Sequence, residues 1–436
     1  MFLIVAFTVQ LTSQYVFKPW QEPRFDAARY LNYAVNLYEH GVFGLSPPGD
    51  AAAPPPSRGN TPLYPAILAG VFHLGEPPPE QLRCYLRLGD GDCAYSFGGV
   101  RAAQALIAVT ALAMIWFAGG VVTGGAAGAW TSALFAALSG QFSYYANTLL
   151  TENLSILLCA LLTVCLCMAA RSALRWYFLL GLSAGLLTLT RPEFVYLSYA
   201  LVAVVLVLAL RSALSWRLGV VAIFAVTIVV GPWLIRNRAT FGDTALTESY
   251  AGYTLAQRVA YNRMSALEFG AALVYWFPDF GDTIARRLFP AEAFARLDFE
   301  PDSYASSGVD LYEQVADRIG PDGDVTRTLL VEEVLRHPVK HALASFALAW
   351  RGIFVAKLWG VAGLTAFVIV MLKRHSQWRL LALVSAPAWF MLALYAGVSV
   401  SLPRYSICFI PVFSLALGTL GARAVDAIRA RRAAAT

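Results

Sequence analysis

The sequence is poor in charged residues and contains none of the common nucleotide, metal or nucleophile motifs. Only 14% of its 436 residues are Asp, Glu, Lys or Arg, whereas soluble globular chains carry about 25%. This deficit excludes an ordinary soluble protein. The chain has no Gly-rich phosphate loop, no His-Glu-x-x-His pair and no nucleophile elbow. A mononucleotide site of the P-loop kind, a zinc protease and an α/β-hydrolase are therefore not predicted.

What replaces the missing charge is apolar sequence in long runs. The hydrophobic share is 58% and the mean hydropathy is +0.58. A helix needs about 20 apolar residues to cross a bilayer. Runs near this length lie at about 3–17, 101–121, 126–146, 152–170, 176–190, 194–210, 217–235, 353–372, 379–398 and 406–424. The pattern predicts an all-α polytopic integral membrane protein with about ten transmembrane helices and two large extracytoplasmic loops carrying interfacial helices.

The first run, 3–17, is short for a span and has no basic residue before it. No small-residue cleavage site follows it, so a signal peptide is not predicted. Whether translation begins further upstream stays open.

Basic residues indicate the orientation of the spans. Arg171 and Arg175 follow one apolar run, Arg211 and Arg217 follow another, and Lys373 ends a third. Cytoplasmic loops are enriched in Lys and Arg, so these positions and both termini are predicted to be cytoplasmic. The predicted regions are 1–17 (first transmembrane helix), 18–100 (first extracytoplasmic, catalytic loop), 101–235 (transmembrane helices two to seven), 236–352 (second extracytoplasmic region), 353–424 (transmembrane helices eight to ten) and 425–436 (cytoplasmic tail).

The first outer loop contains two predicted interfacial helices. Pro23 suits a first helical turn and Gly41 a C-terminal cap, which predicts a helix over 23–40. A second helix is predicted over 62–74. Cys84 and Cys93 follow in an irregular segment, where a disulfide and two free thiols are both open readings. The remaining cysteines lie in apolar runs and are predicted to be packing residues.

The prominent ionisable residues all fall on the predicted outer side, where such residues are candidates for function. They are Asp26, Arg29, Arg58, Glu152, Arg191, Glu193, Arg236 and Arg404.

These residues lie within a series of motifs. Asp26-Ala-Ala-Arg29-Tyr30 resembles the Asp-x-x-Arg-Tyr signature of bacterial GT-C membrane glycosyltransferases of the family 39 and 83 kind. That group includes the lipid A aminoarabinose and galacturonic acid transferases and the protein O-mannosyltransferases. Other segments that fit the group in order are Arg58-x-x-x-Pro62-x-Tyr64-Pro65, Thr151-Glu152, Gly181 to Arg191-Pro192, Pro232-Trp233-x-x-Arg236-Asn237, and Arg404-Tyr405 with Pro411. One departure is Asn60-Thr61, where several members have a Lys before the Pro.

The resemblance implies transfer of a sugar from a polyprenyl phosphate to an acceptor hydroxyl on lipid A, an envelope glycan or a protein. It would take place on the outer face of the bacterial cytoplasmic membrane. Asp26 is the predicted general base, and Glu152 is the second catalytic candidate. The predicted substrate-binding residues are Arg29, Tyr30, Arg58, Tyr64, Arg191, Arg236, Arg404 and Tyr405. No cofactor and no metal site are predicted, and the partners are the lipid-linked sugar, the acceptor and the bilayer, with no nucleic acid.

Simpler readings exist for several of these residues. Asp26 and Glu152 are also acids near helix N-termini, where they complement the helix dipole. Arg191 and Arg236 are at span ends and could anchor them by snorkelling. The alternative function is a transporter or flippase of a lipid-linked precursor. This alternative predicts paired half-repeats and charged residues near the middle of the spans.

Overall fold

The structure is a computed structural model that describes residues 20–435 except 48–49, 51, 88–92, 94, 170–172, 249, 321–322 and 376. Every regular element in this part of the chain is a helix, and no strand occurs in it. The predicted all-α fold class is therefore confirmed. The predicted first span at 3–17 and the basic residue Arg171 lie outside the described residues.

The α-helices follow one another along the chain in the order of their numbers. They are α1 (Asp26–His40), α2 (Leu63–Gly75), α3 (Pro79–Cys84), α4 (Gly98–Thr123), α5 (Ala126–Leu138), α6 (Gln141–Tyr145), α7 (Glu152–Ala169), α8 (Leu174–Thr190), α9 (Phe194–Leu210), α10 (Trp216–Phe241), α11 (Ala251–Ala260), α12 (Ala266–Tyr275), α13 (Gly281–Leu288), α14 (Tyr304–Ile319), α15 (Val325–Leu329), α16 (Pro338–Ile353), α17 (Leu358–Leu372), α18 (Trp378–Val398) and α19 (Phe409–Ala435). Short 3₁₀ turns lie at Tyr261–Arg263, Ala291–Ala293 and Pro403–Ser406, and a π-helical turn lies at Leu330–Leu335.

Within the described residues, five helices are long and apolar enough to cross a membrane. They are α4, α7, α10, α18 and α19. The pair α16 and α17 also passes if counted as one broken span, with a bend of 108°. The shorter apolar helices include α5, α8 and α9. The protein is thus a multi-pass membrane protein, and the number of about ten spans stays a prediction.

Two predicted spans differ in detail from the structure. The run 126–146 is a helix only to Leu138, because Gly140 adopts a left-handed φ of 70° and starts the separate helix α6. The run that begins at 353 becomes helical only at Leu358. Ala356 and Lys357 both have a φ of 57°, which an α-helix of L-residues does not tolerate.

The chain divides into two compact units. The first unit comprises Met1–Glu248, Ala366–Val384 and Ile410–Thr436, and the second comprises Ser249–Thr365 and Ser385–Phe409. In the first unit, α8 packs closely on α10. A Cβ at Gly181 would lie 2.1 Å from the carbonyl oxygen of Ala222. Glycine is needed there because two helix backbones approach each other directly.

Both helices that the sequence predicts between residues 18 and 100 are present. Helix α1 ends where the sequence predicts, at Gly41, which has a φ of 67° and donates its N–H to carbonyls of the last turn. It begins at Asp26, three residues after the predicted Pro23, because Phe25 before it has a non-helical φ of 51°. Helix α2 covers Leu63–Gly75, within one residue of the prediction.

Cys84 and Cys93 form a disulfide, with Cα atoms 5.7 Å apart. The bond joins the end of α3 to the segment before α4 and resolves the choice that the sequence left open. The remaining cysteines are buried and free, as predicted.

We expect the Cys84→Ser/Cys93→Ser variant to be less stable by about 2–3 kcal/mol, since the cross-link restricts the unfolded chain. Thermal unfolding of the purified protein measures this. Reducing agent should lower the Tm of the parent and leave that of the double variant unchanged. Alkylation of both thiols in the native parent would contradict the bond.

We expect Gly320→Cys to react with a membrane-impermeant maleimide added from the outside, and Lys373→Cys to stay unlabelled. The reason is that Lys373 lies in a basic loop that is predicted to be cytoplasmic, and Gly320 in the predicted second outer region. The parent protein supplies the background, because its free cysteines are buried. The reverse labelling pattern would overturn the orientation.

Candidate functional site

The first turn of α1 carries the Asp26 to Tyr30 motif. Asp26 and Arg29 are exposed, whereas Tyr30 is half-buried. No side chain caps this helix end, since Phe25 occupies the N-cap position and makes no side-chain capping bond. The Asp26 carboxylate therefore lies beside uncapped backbone N–H groups at a positive helix end.

Tyr30 is the centre around which the predicted carboxylates gather. Its ring meets that of Tyr64 on α2 edge to face, with centroids 5.5 Å apart. Burial raises the pKa of the Tyr30 phenol well above its usual range; Arg191 opposes this, and the carboxylates of Glu152, Asp26 and Glu193 add to it. Tyr30 thus remains a neutral hydrogen-bond donor, surrounded by three carboxylates and one guanidinium.

Beneath Tyr30, Glu152 and Arg191 form a buried ion pair. Glu152 is in the first turn of α7, and Arg191 caps the C-terminus of α8. They are 4% and 7% exposed, and Oε1 of Glu152 lies 3.5 Å from Nη1 of Arg191. Glu193 lies 3.8 Å from the same guanidinium. Oε2 of Glu152 is buried with no hydrogen-bond partner in the described part of the chain, so it can accept a bond.

A polar network that the sequence analysis missed supports this cluster. Gln104 on α4 donates to the Tyr64 hydroxyl at 2.8 Å and to the carbonyl of Thr148 at 3.0 Å. Asn153 donates to the side-chain oxygen of Gln104 at 2.7 Å. The sequence contains a signal for this network, because a glutamine and an asparagine lie inside apolar runs. Buried side-chain amides need hydrogen-bond partners, so these two residues indicate a buried polar network. The network sets the position of Tyr64 and hence of the ring that Tyr30 meets.

The guanidinium of Arg58 is already paired within the protein. It forms an ion pair with Asp243, just after α10, and lies 4.9 Å over the Phe241 ring. The bond from Arg58 holds the pKa of the Asp243 carboxyl below its usual value. An anionic substrate group at Arg58 would have to compete with this carboxylate.

Arg236 holds the segment between α1 and α2 in place. It donates to the carbonyl oxygens of Ser57 at 2.8 Å and Phe43 at 3.3 Å, and its guanidinium lies 4.8 Å over the Trp233 ring. These bonds give it a structural role that sequence reasoning did not identify. A role in substrate binding stays a prediction.

The predicted residues Arg404 and Tyr405 belong to the second unit, in the 3₁₀ turn Pro403–Ser406. The Tyr405 ring stacks on Tyr395 of α18 with centroids 4.9 Å apart, and Arg404 lies 5.5 Å over the Tyr405 ring. Among the residues that the structure describes, no group of three or more His, Cys, Asp or Glu is arranged to hold a metal ion. That the protein has no metal site stays a prediction.

Residues 94–235 match the family model of dolichyl-phosphate-mannose-protein mannosyltransferases. This segment contains α4 to α9 and most of α10, and therefore Gln104, Glu152 and Arg191. No curated protein matches the sequence of the chain.

Two kinds of solved structure are similar to the chain. An oligosaccharyltransferase of Archaeoglobus fulgidus, in its apo form, is 14% identical with a TM-score of 0.50, covering 99% of this chain and 51% of the other. This chain thus spans about half the length of that enzyme. ArnT from Cupriavidus metallidurans, bound to undecaprenyl phosphate, is 15% identical with a TM-score of 0.41, covering 96% of this chain and 76% of the other. The chain has the fold of the GT-C membrane glycosyltransferases, and in residues 94–235 it resembles the protein mannosyltransferases.

Proposed function

We propose that the protein transfers a sugar from a polyprenyl-phosphate donor to an acceptor hydroxyl, at the outer face of a bacterial cytoplasmic membrane. The observation that carries the proposal is the exposed Asp26 at the start of α1, next to Tyr30 and the buried Glu152–Arg191 pair. The matched family supports the donor class, because its description names a dolichyl-phosphate sugar as the substrate.

Asp26 acts as the general base in this reaction. Its carboxylate takes the proton of the acceptor hydroxyl while the oxygen attacks the anomeric carbon of the donor. The bond between that carbon and the phosphate oxygen breaks, and polyprenyl phosphate leaves with the electron pair. An exposed carboxylate at a helix start suits this role, since it is accessible to the acceptor.

The leaving phosphate gains negative charge during transfer and needs cations beside it. Arg29 lies one turn after Asp26 and is exposed, which makes it the first candidate in the first unit. Arg58 is the second, with Asp243 as the group it would release. Arg404 is the candidate in the second unit. The buried Arg191 acts at a distance by holding Glu152.

The acceptor is lipid A, an envelope glycan or a protein. Mass spectrometry compares lipid A, envelope glycans and envelope proteins from a deletion strain with those of the parent strain. The acceptor is the molecule that loses the mass of one sugar in the deletion strain and regains it on complementation. If none of the three changes between the parent and the deletion strain, these acceptor classes are excluded.

Purified protein in proteoliposomes tests the reaction itself. We expect labelled sugar to pass from a lipid-linked pool to the acceptor, with release of polyprenyl phosphate. In parallel, a fluorescent lipid-linked precursor reports its movement between leaflets. Movement between leaflets without sugar transfer would overturn the proposal and establish the flippase alternative.

We expect Arg404→Ala to raise the KM for the lipid-linked donor about tenfold or more and to affect the acceptor KM little, because a charge-assisted contact to phosphate is lost. Steady-state transfer rates at varied donor concentration measure this. Arg429→Ala is the matched control, since Arg429 is an exposed arginine on α19 in the predicted cytoplasmic tail. Equal donor KM values in the two variants would remove Arg404 from the donor site.

A further inference from the structure

The second unit contains a buried arginine among aromatic rings. Arg351 is in the last turn of α16 and is 8% exposed. Its guanidinium lies 5.0 Å from the centroid of the Trp276 ring and 5.2 Å from that of Phe299. Tyr261 and Tyr304 belong to the buried cluster around Trp276. A full positive charge is thus enclosed mainly by apolar surface, which is costly without an anion.

The Tyr261 hydroxyl lies close to Arg351 and interacts with it, but two donor atoms in this pocket lack partners. Nη1 of Arg351 and Nε1 of Trp276 are buried without a hydrogen-bond partner among the described residues. Within the same part of the chain, no carboxylate forms an ion pair with Arg351. The nearby acid Asp298 instead accepts from the Tyr275 hydroxyl. Unsatisfied buried donors of this kind destabilise the fold unless a ligand or water accepts from them.

Arg258 shows that the same unit can satisfy a buried arginine from its own atoms. It is fully buried, yet it donates to the side-chain oxygen of Asn262 at 3.0 Å and to the carbonyl of His341 at 2.9 Å. It donates also to the carbonyl of Ala396 and the hydroxyl of Ser345. Arg351 differs in that part of its donor capacity remains open.

Phe299 is the exposed wall of this pocket. It is 52% exposed, and it lies in the non-helical segment between Ala293 and Tyr304. The pocket therefore combines a buried cation, an indole N–H and aromatic walls, one of which is exposed at the surface.

We infer that Arg351 and Trp276 form an oxyanion-binding site for a phosphate group. Both donors can bond to one phosphate, whose oxygens accept and whose charge neutralises the guanidinium. The phosphate can belong to a lipid head group or be free inorganic phosphate. This site lies outside the predicted catalytic residues and goes beyond the proposed function.

Calorimetric titration of the full-length protein in nanodiscs of uncharged lipid tests the site. The probes are inorganic phosphate and a short-chain polyprenyl phosphate. We expect Trp276→Phe, which keeps a ring beside Arg351 and removes one donor, to weaken binding about tenfold. Arg351→Gln should abolish binding of inorganic phosphate and remove the Trp276-dependent share of polyprenyl-phosphate binding, since the proposed donor site also binds that lipid. Arg296→Gln is the matched control, because the Arg296 guanidinium also lies over an aromatic ring, 4.2 Å from the centroid of Tyr304. This variant should bind both probes with the affinity of the parent.

The two probes separate the sources of the phosphate. Binding of inorganic phosphate that depends on Trp276 and Arg351 supports a free-anion site, and binding of the lipid alone with the same dependence supports a head-group site. Parental affinity for both probes in Trp276→Phe and in Arg351→Gln would overturn the inference, as would binding of neither probe by the parent. Because binding is measured without sugar transfer, failure here is distinct from failure of the proposed glycosyltransferase reaction. If Arg351→Gln does not fold, Trp276→Phe alone decides the outcome.

Discussion

Asp26→Asn is expected to lose sugar transfer by on the order of 10²-fold or more while it folds and inserts normally. The amide keeps the size of the side chain and cannot take the acceptor proton. The position is exposed, so no core packing changes. Transfer in proteoliposomes, normalised to the amount of inserted protein, measures the effect.

A second exposed aspartate provides the control for this variant. Asp282 lies in the first turn of α13, as Asp26 lies in that of α1. Asp282→Asn loses the same interaction with a helix dipole, worth about 0.3–1 kcal/mol, and should transfer sugar at the parental rate. If Asp26→Asn also transfers at the parental rate, Asp26 only complements its helix. Glu152 is then the next carboxylate to replace.

Arg191→Met is expected to destabilise the protein by about 3–5 kcal/mol, because it leaves the Glu152 carboxylate buried without its cation. The pair is 4% and 7% exposed, which makes it one of the least accessible ion pairs among the described residues. Thermal unfolding in one detergent measures the loss. The double variant Glu152→Gln/Arg191→Met should recover most of it, since no unpaired charge then remains buried.

Arg211→Met is the matched control for that experiment. Arg211 also caps the C-terminus of a membrane helix, α9, but it is exposed. Its loss should change stability by less than about 1 kcal/mol. If Arg191→Met costs no more than Arg211→Met, the pair does not stabilise the fold. Direct contact between Arg191 and a substrate is then the role to test.

Activity in the double variant separates support from catalysis. If it is stable and transfers sugar, the buried pair positions the site and takes no part in proton transfer. If it is stable and inactive while Asp26 remains in place, Glu152 or Arg191 acts in the reaction. In that case we expect Oε2 of Glu152 to be the reacting group, because it has no hydrogen-bond partner among the described residues.

Local sequence determined that the chain is a helical membrane protein. It also determined the helices α1 and α2, which precede the long apolar helices. These features depend on neighbouring residues. Apolar runs must be helical in a bilayer because their backbone groups have no water to bond with. Gly41 ends α1 because glycine adopts the left-handed conformation without strain. The motif residues Asp26 and Tyr30 could be recognised for the same reason, as they lie within one turn.

Only the tertiary structure decided which partner each polar side chain has. Arg58, Arg236 and Arg191 look alike in the sequence, as single arginines in or near predicted outer segments. In the fold, Arg58 meets a carboxylate 185 positions away, Arg236 bonds to carbonyls of the first outer loop, and Arg191 is buried against Glu152. Gln104 and Arg351 carried no motif at all. Hydrogen bonds and ion pairs join residues far apart in the chain, so local patterns show where a charge is placed, and the packing of helices decides what it touches.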